Sequence, residues 1–166
     1  MRMTSASAGV KIASVPAFHS NGIPSALVDT PGVAPGTTGY GGNEAGYVVK
    51  FTNGLTVYLT GDTGLFGDMD AIIRRFYQPS LVVVNMSDTA TLGADEAAFA
   101  IKELIKPRTV IPSHVNEQAT QSGVVRPGTR TERFVQMLGG SGINVVLPLS
   151  GVTRQIDSTG RCTNCP

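Results

Sequence analysis

The stretch Val57-Tyr58-Leu59-Thr60-Gly61-Asp62-Thr63-Gly64-Leu65-Phe66 runs from an apolar, β-like segment into a break of small and polar residues that carries one aspartate. A strand ending in a glycine-flanked aspartate presents that carboxylate at the carboxyl edge of a sheet, because glycine lets the backbone turn sharply there. The pattern recurs where Thr109-Val110-Ile111 ends in Pro112-Ser113-His114, and where residues 10–15 lead into Pro16-Ala17-Phe18-His19-Ser20. His19 and His114 are the only two histidines in 166 residues, and each follows a short hydrophobic strand. Two imidazoles and one carboxylate on strand-end loops make His19, Asp62 and His114 a candidate set of metal ligands.

Outward from Asp62, residues 47–51 and 55–59 read as strands joined at Asn53-Gly54, the strongest short-range hairpin signal. A helix is expected from 68 or 69 to 77, with Ile72, Ile73 and Phe76 on one face, Asp68 as its cap and Pro79 closing it. The β-branched run 81–84 fits a strand buried on both faces. A second helix is expected over 95–106. The acidic Asp95 and Glu96 of its first turn compensate the helix dipole and are not assigned to catalysis. After the strand 109–111 comes a polar loop, 116–127. Thr129 and Glu132 form a possible capping box for a third helix through Leu138, and 145–149 and 152–156 read as closing strands.

Residues 21–43 form a Gly/Pro-rich loop with one apolar patch, Ala26-Leu27-Val28, and a loop of that length is either functional or disordered. The fold class is α/β, a sheet covered by helices with its polar residues gathered at one set of strand ends. Asn85, Ser87, Asp88, Asn116 and Glu117 follow strands closely enough to serve as weak ligands or to orient water. A serine hydrolase is disfavoured, because no Gly-x-Ser-x-Gly elbow occurs and Ser113 directly precedes His114.

Length bounds the chain at one ordinary domain, expected over residues 1–160, with 161–166 a flexible tail. A formal charge of +1 without a Lys/Arg cluster argues against a nucleic-acid partner. Residues 1–9 lack a signal-peptide core and no run reaches the roughly 18 apolar residues of a membrane span, so the expected setting is cytoplasmic, with no membrane partner. Cys162 and Cys165 form a lone CxxC that lacks the context of a zinc ribbon or of a thioredoxin-like site. The simplest reading is a frayed tail whose thiols can oxidise.

The order of strand, His19-Ser20, Gly-rich loop, hairpin, Thr60-Gly61-Asp62-Thr63-Gly64, helix, buried strand, Ala-rich helix and Thr109-Val110-Ile111-Pro112-Ser113-His114 resembles the metallo-β-lactamase superfamily. Within it, the chain is most similar to the metal-dependent hydrolases resembling L-ascorbate-6-phosphate lactonase, whose aspartate motif reads Gly-Asp-Thr. The resemblance covers roughly residues 11–115. It implies an αββα sandwich with a divalent metal between two sheets, most often zinc, with manganese or iron as alternatives. It further implies that His19 is a ligand of a first metal, Asp62 bridges two metals and His114 is a ligand of the second. Asp62 and His114 then act in hydrolysis of a small-molecule ester, lactone, amide or phosphoester by metal-activated water.

The chain departs from this pattern in lacking the His-x-His-x-Asp-His segment that precedes the first matched strand. The expectation is therefore a partial or truncated αββα sandwich. Its three donors would serve as a mononuclear set, or be completed by a second copy in a homo-oligomer. The alternative from another class is a catalytically inactive remnant of the fold that acts as a binding or oligomerising module through its uncovered sheet.

Overall fold

The computed structural model describes residues 3–5, 8–27, 34 and 36–165. Along the chain come β1 (Thr4–Ser5), β2 (Lys11–Pro16), the hairpin of β3 (Gly22–Pro24) and β4 (Thr38–Tyr40), β5 (Ala45–Lys50), β6 (Thr56–Leu59) and β7 (Leu81–Asn85). These are followed by β8 (Thr109–Ser113), the hairpin of β9 (Thr120–Gln121) and β10 (Val124–Val125), and β11 (Asn144–Val145). One mixed sheet has the order β1-β2-β5-β6-β7-β8-β11. Its first half is antiparallel and its second half, from β6 to β11, is parallel.

Register explains which face is buried. Ala13 pairs with Val48, Val48 with Tyr58, Tyr58 with Val82 and Val82 with Val110, so one row of side chains crosses five strands on one face. All five are buried, packed beneath Met69, Ile73, Ala97, Ile101, Ile105, Phe134 and Leu138 of the helices. The neighbouring row, Ser14, Tyr47, Leu59, Val83 and Ile111, points to the opposite face, because side chains alternate along a strand. There Tyr47 is 46% and Leu59 38% exposed. Helices thus cover one side of the sheet; among the described residues the other side is covered only near Val57 and Leu81, by Leu55 and Ile156, and is open around Tyr47 and Leu59. That is the partial sandwich expected from the sequence.

The helix Met69–Tyr77 is wound with π geometry and buries Met69, Ile73 and Tyr77, spaced four apart. Phe76, expected on the core face, is instead 72% exposed. Asp68 makes no capping bond with its side chain. The second helix begins as α1 (Ala94–Phe99) and continues in π geometry over Ala100–Ile105, with Lys106 left-handed at its end. Glu96 accepts the Gly93 N–H at 3.1 Å, and Asp95 pairs with Arg133, so both acids serve the helix end and its neighbour. In α2 (Arg130–Met137) the Thr129 hydroxyl accepts the Glu132 N–H at 3.1 Å, while the Glu132 carboxylate reaches back to the Gly128 N–H at 2.7 Å.

The expected long loops hold the two small hairpins. The patch residue Val28 lies outside the described residues. Of the strand expected over 145–149, only its first residue pairs in β11. The Val146 N–H still bonds to Val110, but Pro148 has no N–H to extend the ladder. The expected strand 152–156 reduces to a single bridge between Ile156 and Cys162. Residues 161–165, expected as a flexible tail, are bonded back to the chain, with Cys162 and Cys165 joined in a disulfide. No helix among the described residues is long and apolar enough to cross a membrane.

Candidate functional site

β2, β6, β7 and β8 run in the same direction, so their carboxyl ends share one edge of the sheet. Beyond those ends lie His19, Asp62 and His114, with Asn85 closing β7 between the last two. Ligand sites of open α/β sheets lie at such an edge. His114 Nδ1 lies 2.9 Å from Asp62 Oδ1. An ionised carboxylate only accepts, so Nδ1 carries the hydrogen, and in the neutral form of the ring the lone pair is on Nε2. The pair is open to solvent, with His114 44% and Asp62 47% exposed. His114 also holds a left-handed backbone at φ 48°, a conformation uncommon outside glycine and concentrated at functional positions.

His19 repeats the arrangement. Its Nδ1 lies 2.8 Å from the Ser20 carbonyl oxygen, which can only accept, so Nε2 again keeps the lone pair. Together with Asp62, His19 lines a cavity of about 290 Å³ that also admits Asn21, Asn43 and Glu44. Asp62 is therefore the common member, bonded to His114 and sharing a cavity with His19. Among the described residues, no three His, Cys, Asp or Glu side chains converge closely enough to form a ready-made metal cluster. Glu44 is a carboxylate the sequence reading missed. Its only signal is its place just before β5, which runs opposite to β2 and so starts at the edge where β2 ends.

Several polar residues that looked like auxiliary ligands hold the frame instead. The Thr60 hydroxyl accepts the Asn85 N–H at 3.0 Å and lies 3.1 Å from Asn85 Oδ1, while Asn85 Nδ2 donates to the Thr63 carbonyl at 3.2 Å. These bonds fix both sides of the Asp62 turn to β7. Thr63 Oγ1 accepts the Phe18 N–H at 2.8 Å, and the Gly64 N–H bonds to the Phe18 carbonyl at 2.8 Å, which ties the His19 segment to the same turn. Gly61 has φ 63°, and a Cβ there would lie 2.6 Å from the Ala45 carbonyl oxygen, so no other residue fits the close crossing with β5.

Glu117 is also committed. Its carboxylate accepts the N–H of Thr131 at 2.9 Å, the Thr131 hydroxyl at 3.0 Å and the N–H of Arg130 at 3.1 Å. Burial alone would raise this carboxyl, but those donors and the Arg130 guanidinium outweigh it and hold Glu117 below the ordinary glutamate value. Ser87 Oγ bonds to Thr91 Oγ1 at 2.6 Å. Asp88 and Asn116 stay at the surface with left-handed backbones.

Solved structures share this arrangement of a mixed sheet with helices on one face, and they identify its fold. The metallo-β-lactamase fold protein YhfI from Bacillus subtilis superposes with a TM-score of 0.56 at 12% identity, over 91% of this chain and 51% of that one. Igni18, a metallo hydrolase from Ignicoccus hospitalis, superposes with a TM-score of 0.62 at 24% identity, over 89% of this chain and 55% of its own.

The chain thus has the metallo-β-lactamase fold. In sequence it is similar to a UPF0173 metal-dependent hydrolase of Cupriavidus necator, 36% identical over 144 residues, or 86% of this chain and 46% of the relative. The chain spans about half the length of the curated relatives it matches. No protein-family model matches it.

Proposed function

We propose that the chain is a metal-dependent hydrolase acting on a small ester, lactone, amide or phosphoester, with His19, Asp62 and His114 as its metal ligands. The observation that carries this reading is the Asp62–His114 pair at the carboxyl edge of a metallo-β-lactamase sheet, with His19 lining the same cavity as Asp62. The relatives' name, metal-dependent hydrolase, supports a metal. By donor type we take it to be a divalent cation, with zinc the first choice and manganese or iron the alternatives. By donor type the residues fit such a cation. By number they form no ready-made set, so the exposed side chains must rotate toward one another or gain donors from a second polypeptide.

A divalent cation bound there supplies Lewis acidity and lowers the pKa of bound water to about 7. The chain's own part is positional. Asp62 accepts from His114 Nδ1 and the Ser20 carbonyl from His19 Nδ1, which aims each Nε2 lone pair as a donor. Asp62 then acts by orienting His114 as well as through its own second oxygen. In this reading the open sheet face around Tyr47 and Leu59 is covered by a second copy of the chain in a cytoplasmic homo-oligomer. The test is turnover of a panel of esters, lactones and phosphoesters, abolished by chelator and restored by zinc or manganese. Turnover unchanged by chelator would overturn the reading.

The alternative is a catalytically inactive remnant that uses the open face for binding. The absence of a three-donor cluster among the described residues favours it. It predicts a self-associating protein without turnover in the same panel.

A further inference from the structure

At the opposite edge of the sheet, before the amino ends of β8 and β11, lies a second cavity of about 360 Å³ that the hydrolase reading does not use. Arg108, Arg161, Cys162 and Cys165 line it, and the two cysteines are joined. Both are half-buried and reach the cavity. Arg108 donates to Thr159 Oγ1 at 3.0 Å, and the Arg161 guanidinium has no partner among the described residues. One carboxylate, Asp157, lies nearby, already accepting the Thr159 N–H at 2.8 Å, the Thr159 hydroxyl at 2.7 Å and the Arg161 N–H at 2.9 Å. Among the described residues, two guanidiniums stand against one engaged carboxylate, which leaves this wall of the cavity net positive.

The disulfide is not what holds this segment. It joins residues only three apart, so it constrains little of the unfolded chain. Docking comes from other contacts. Thr163 N–H bonds to the Gln155 carbonyl at 2.8 Å, Gln155 N–H to Asn164 Oδ1 at 2.8 Å, and Asn164 Nδ2 to the Thr153 carbonyl at 2.9 Å. Gly160, at φ 84°, sits so close to Ser80 that a Cβ would lie 2.6 Å from the Ser80 carbonyl oxygen. Ile156 packs on Leu55, Val57 and Leu81 at the end of the open face. The bond can therefore open without releasing the fold.

We propose that Cys162 and Cys165 form a thiol–disulfide exchange site for small thiols that carry carboxylates. The incoming thiolate attacks one cysteine sulfur and forms a mixed disulfide as the Cys162–Cys165 bond breaks. The electron pair leaves on the other sulfur as a thiolate stabilised by the arginines. A second thiolate attacks the small molecule's sulfur in the mixed disulfide and frees the remaining cysteine. In sum, two thiols are oxidised to one disulfide, and the protein disulfide is reduced to two thiols that take up their protons. Arg108 and Arg161 bind the carboxylate of the incoming thiol and lower the basicity of the leaving sulfur.

The experiment compares reduction of the whole protein by glutathione, which carries carboxylates, and by cysteamine, which carries an ammonium, at equal thiolate concentration. Alkylation and intact-mass measurement follow the cysteines. The expected result is that glutathione reacts about tenfold faster, a preference that about 1 M salt erases and that R108Q/R161Q loses. Equal rates for the two thiols, a preference insensitive to salt, or cysteines that stay unpaired after air oxidation would overturn the proposal. The salt comparison uses the wild-type chain, so it decides the matter even if the double variant does not fold.

Discussion

Replacing Glu117 with glutamine tests whether a charge at a helix end anchors the loop that follows His114. The side chain is only 17% exposed, and its two oxygens serve three donors at the start of α2. A glutamine oxygen can still serve Thr131, but its NH2 then faces the Arg130 N–H, so one charge-assisted hydrogen bond worth about 1.5–3 kcal/mol is lost. Removing the negative charge from the helix N-terminus costs about 0.3–1 kcal/mol more. The total of roughly 2–4 kcal/mol lowers Tm by roughly 4–16 °C for a chain of this size. The sign with pH follows from the depressed carboxyl. Its contribution is complete above the unfolded value and is lost as pH falls through the folded one, so the gap between wild type and E117Q starts to close near the ordinary glutamate value of about 4.3 and vanishes only below the depressed folded value. Thermal unfolding followed by circular dichroism from pH 7 to 3 reads both effects. A variant within about 2 °C of wild type at pH 7, or a gap that does not change with pH, would refute the reasoning.

Thr63→Val keeps the shape of the side chain but leaves the Phe18 N–H without its acceptor. It is expected to cost about 1–3 kcal/mol in urea unfolding and to weaken metal binding, because the His19 segment loses its tie to the Asp62 turn. Tyr58 is fully buried, its hydroxyl has no partner among the described residues and burial pushes its phenol up. Tyr58→Phe should therefore be neutral or stabilising by about 1–2 kcal/mol, and a clear loss of stability would show a hidden partner. Phe134→Ala empties a fully buried site beneath the sheet and is expected to cost about 3–5 kcal/mol by the same assay. If a second copy covers the open face, Tyr47→Glu with Leu59→Glu shifts the chain to monomer in sedimentation or light scattering. An unchanged mass would remove that part of the account.

The strands around the site were readable because hydrophobic runs ended abruptly in Gly, Pro or small polar residues. Those breaks fall where His19, Asp62 and His114 leave the sheet. The roles of the other polar residues were not readable. Asn85 and Glu117 stand just past strands as a ligand would, and only the three-dimensional partners, Thr60 and the start of α2, show that their hydrogen-bonding capacity is used. Glu44 was missed because its relation to Asp62 depends on the antiparallel course of β5. The run 152–156 carries only Val152 and Ile156 as apolar residues, too few to bury a strand face. Among the described residues it pairs only through the bridge at Ile156, which packs against the sheet face as part of the segment that carries the disulfide. Phe76 was placed inside by assuming α periodicity, and the π winding turns it outward.

Elemental mass spectrometry of the purified chain, wild type beside Asp62→Ala and after reconstitution with zinc or manganese, tests the central claim most directly. The account predicts near-stoichiometric metal in the wild type and its loss in the variant, since Asp62 is the member the two histidines share. Wild-type chain that stays free of metal after reconstitution would contradict it and leave the binding module as the reading of this fold.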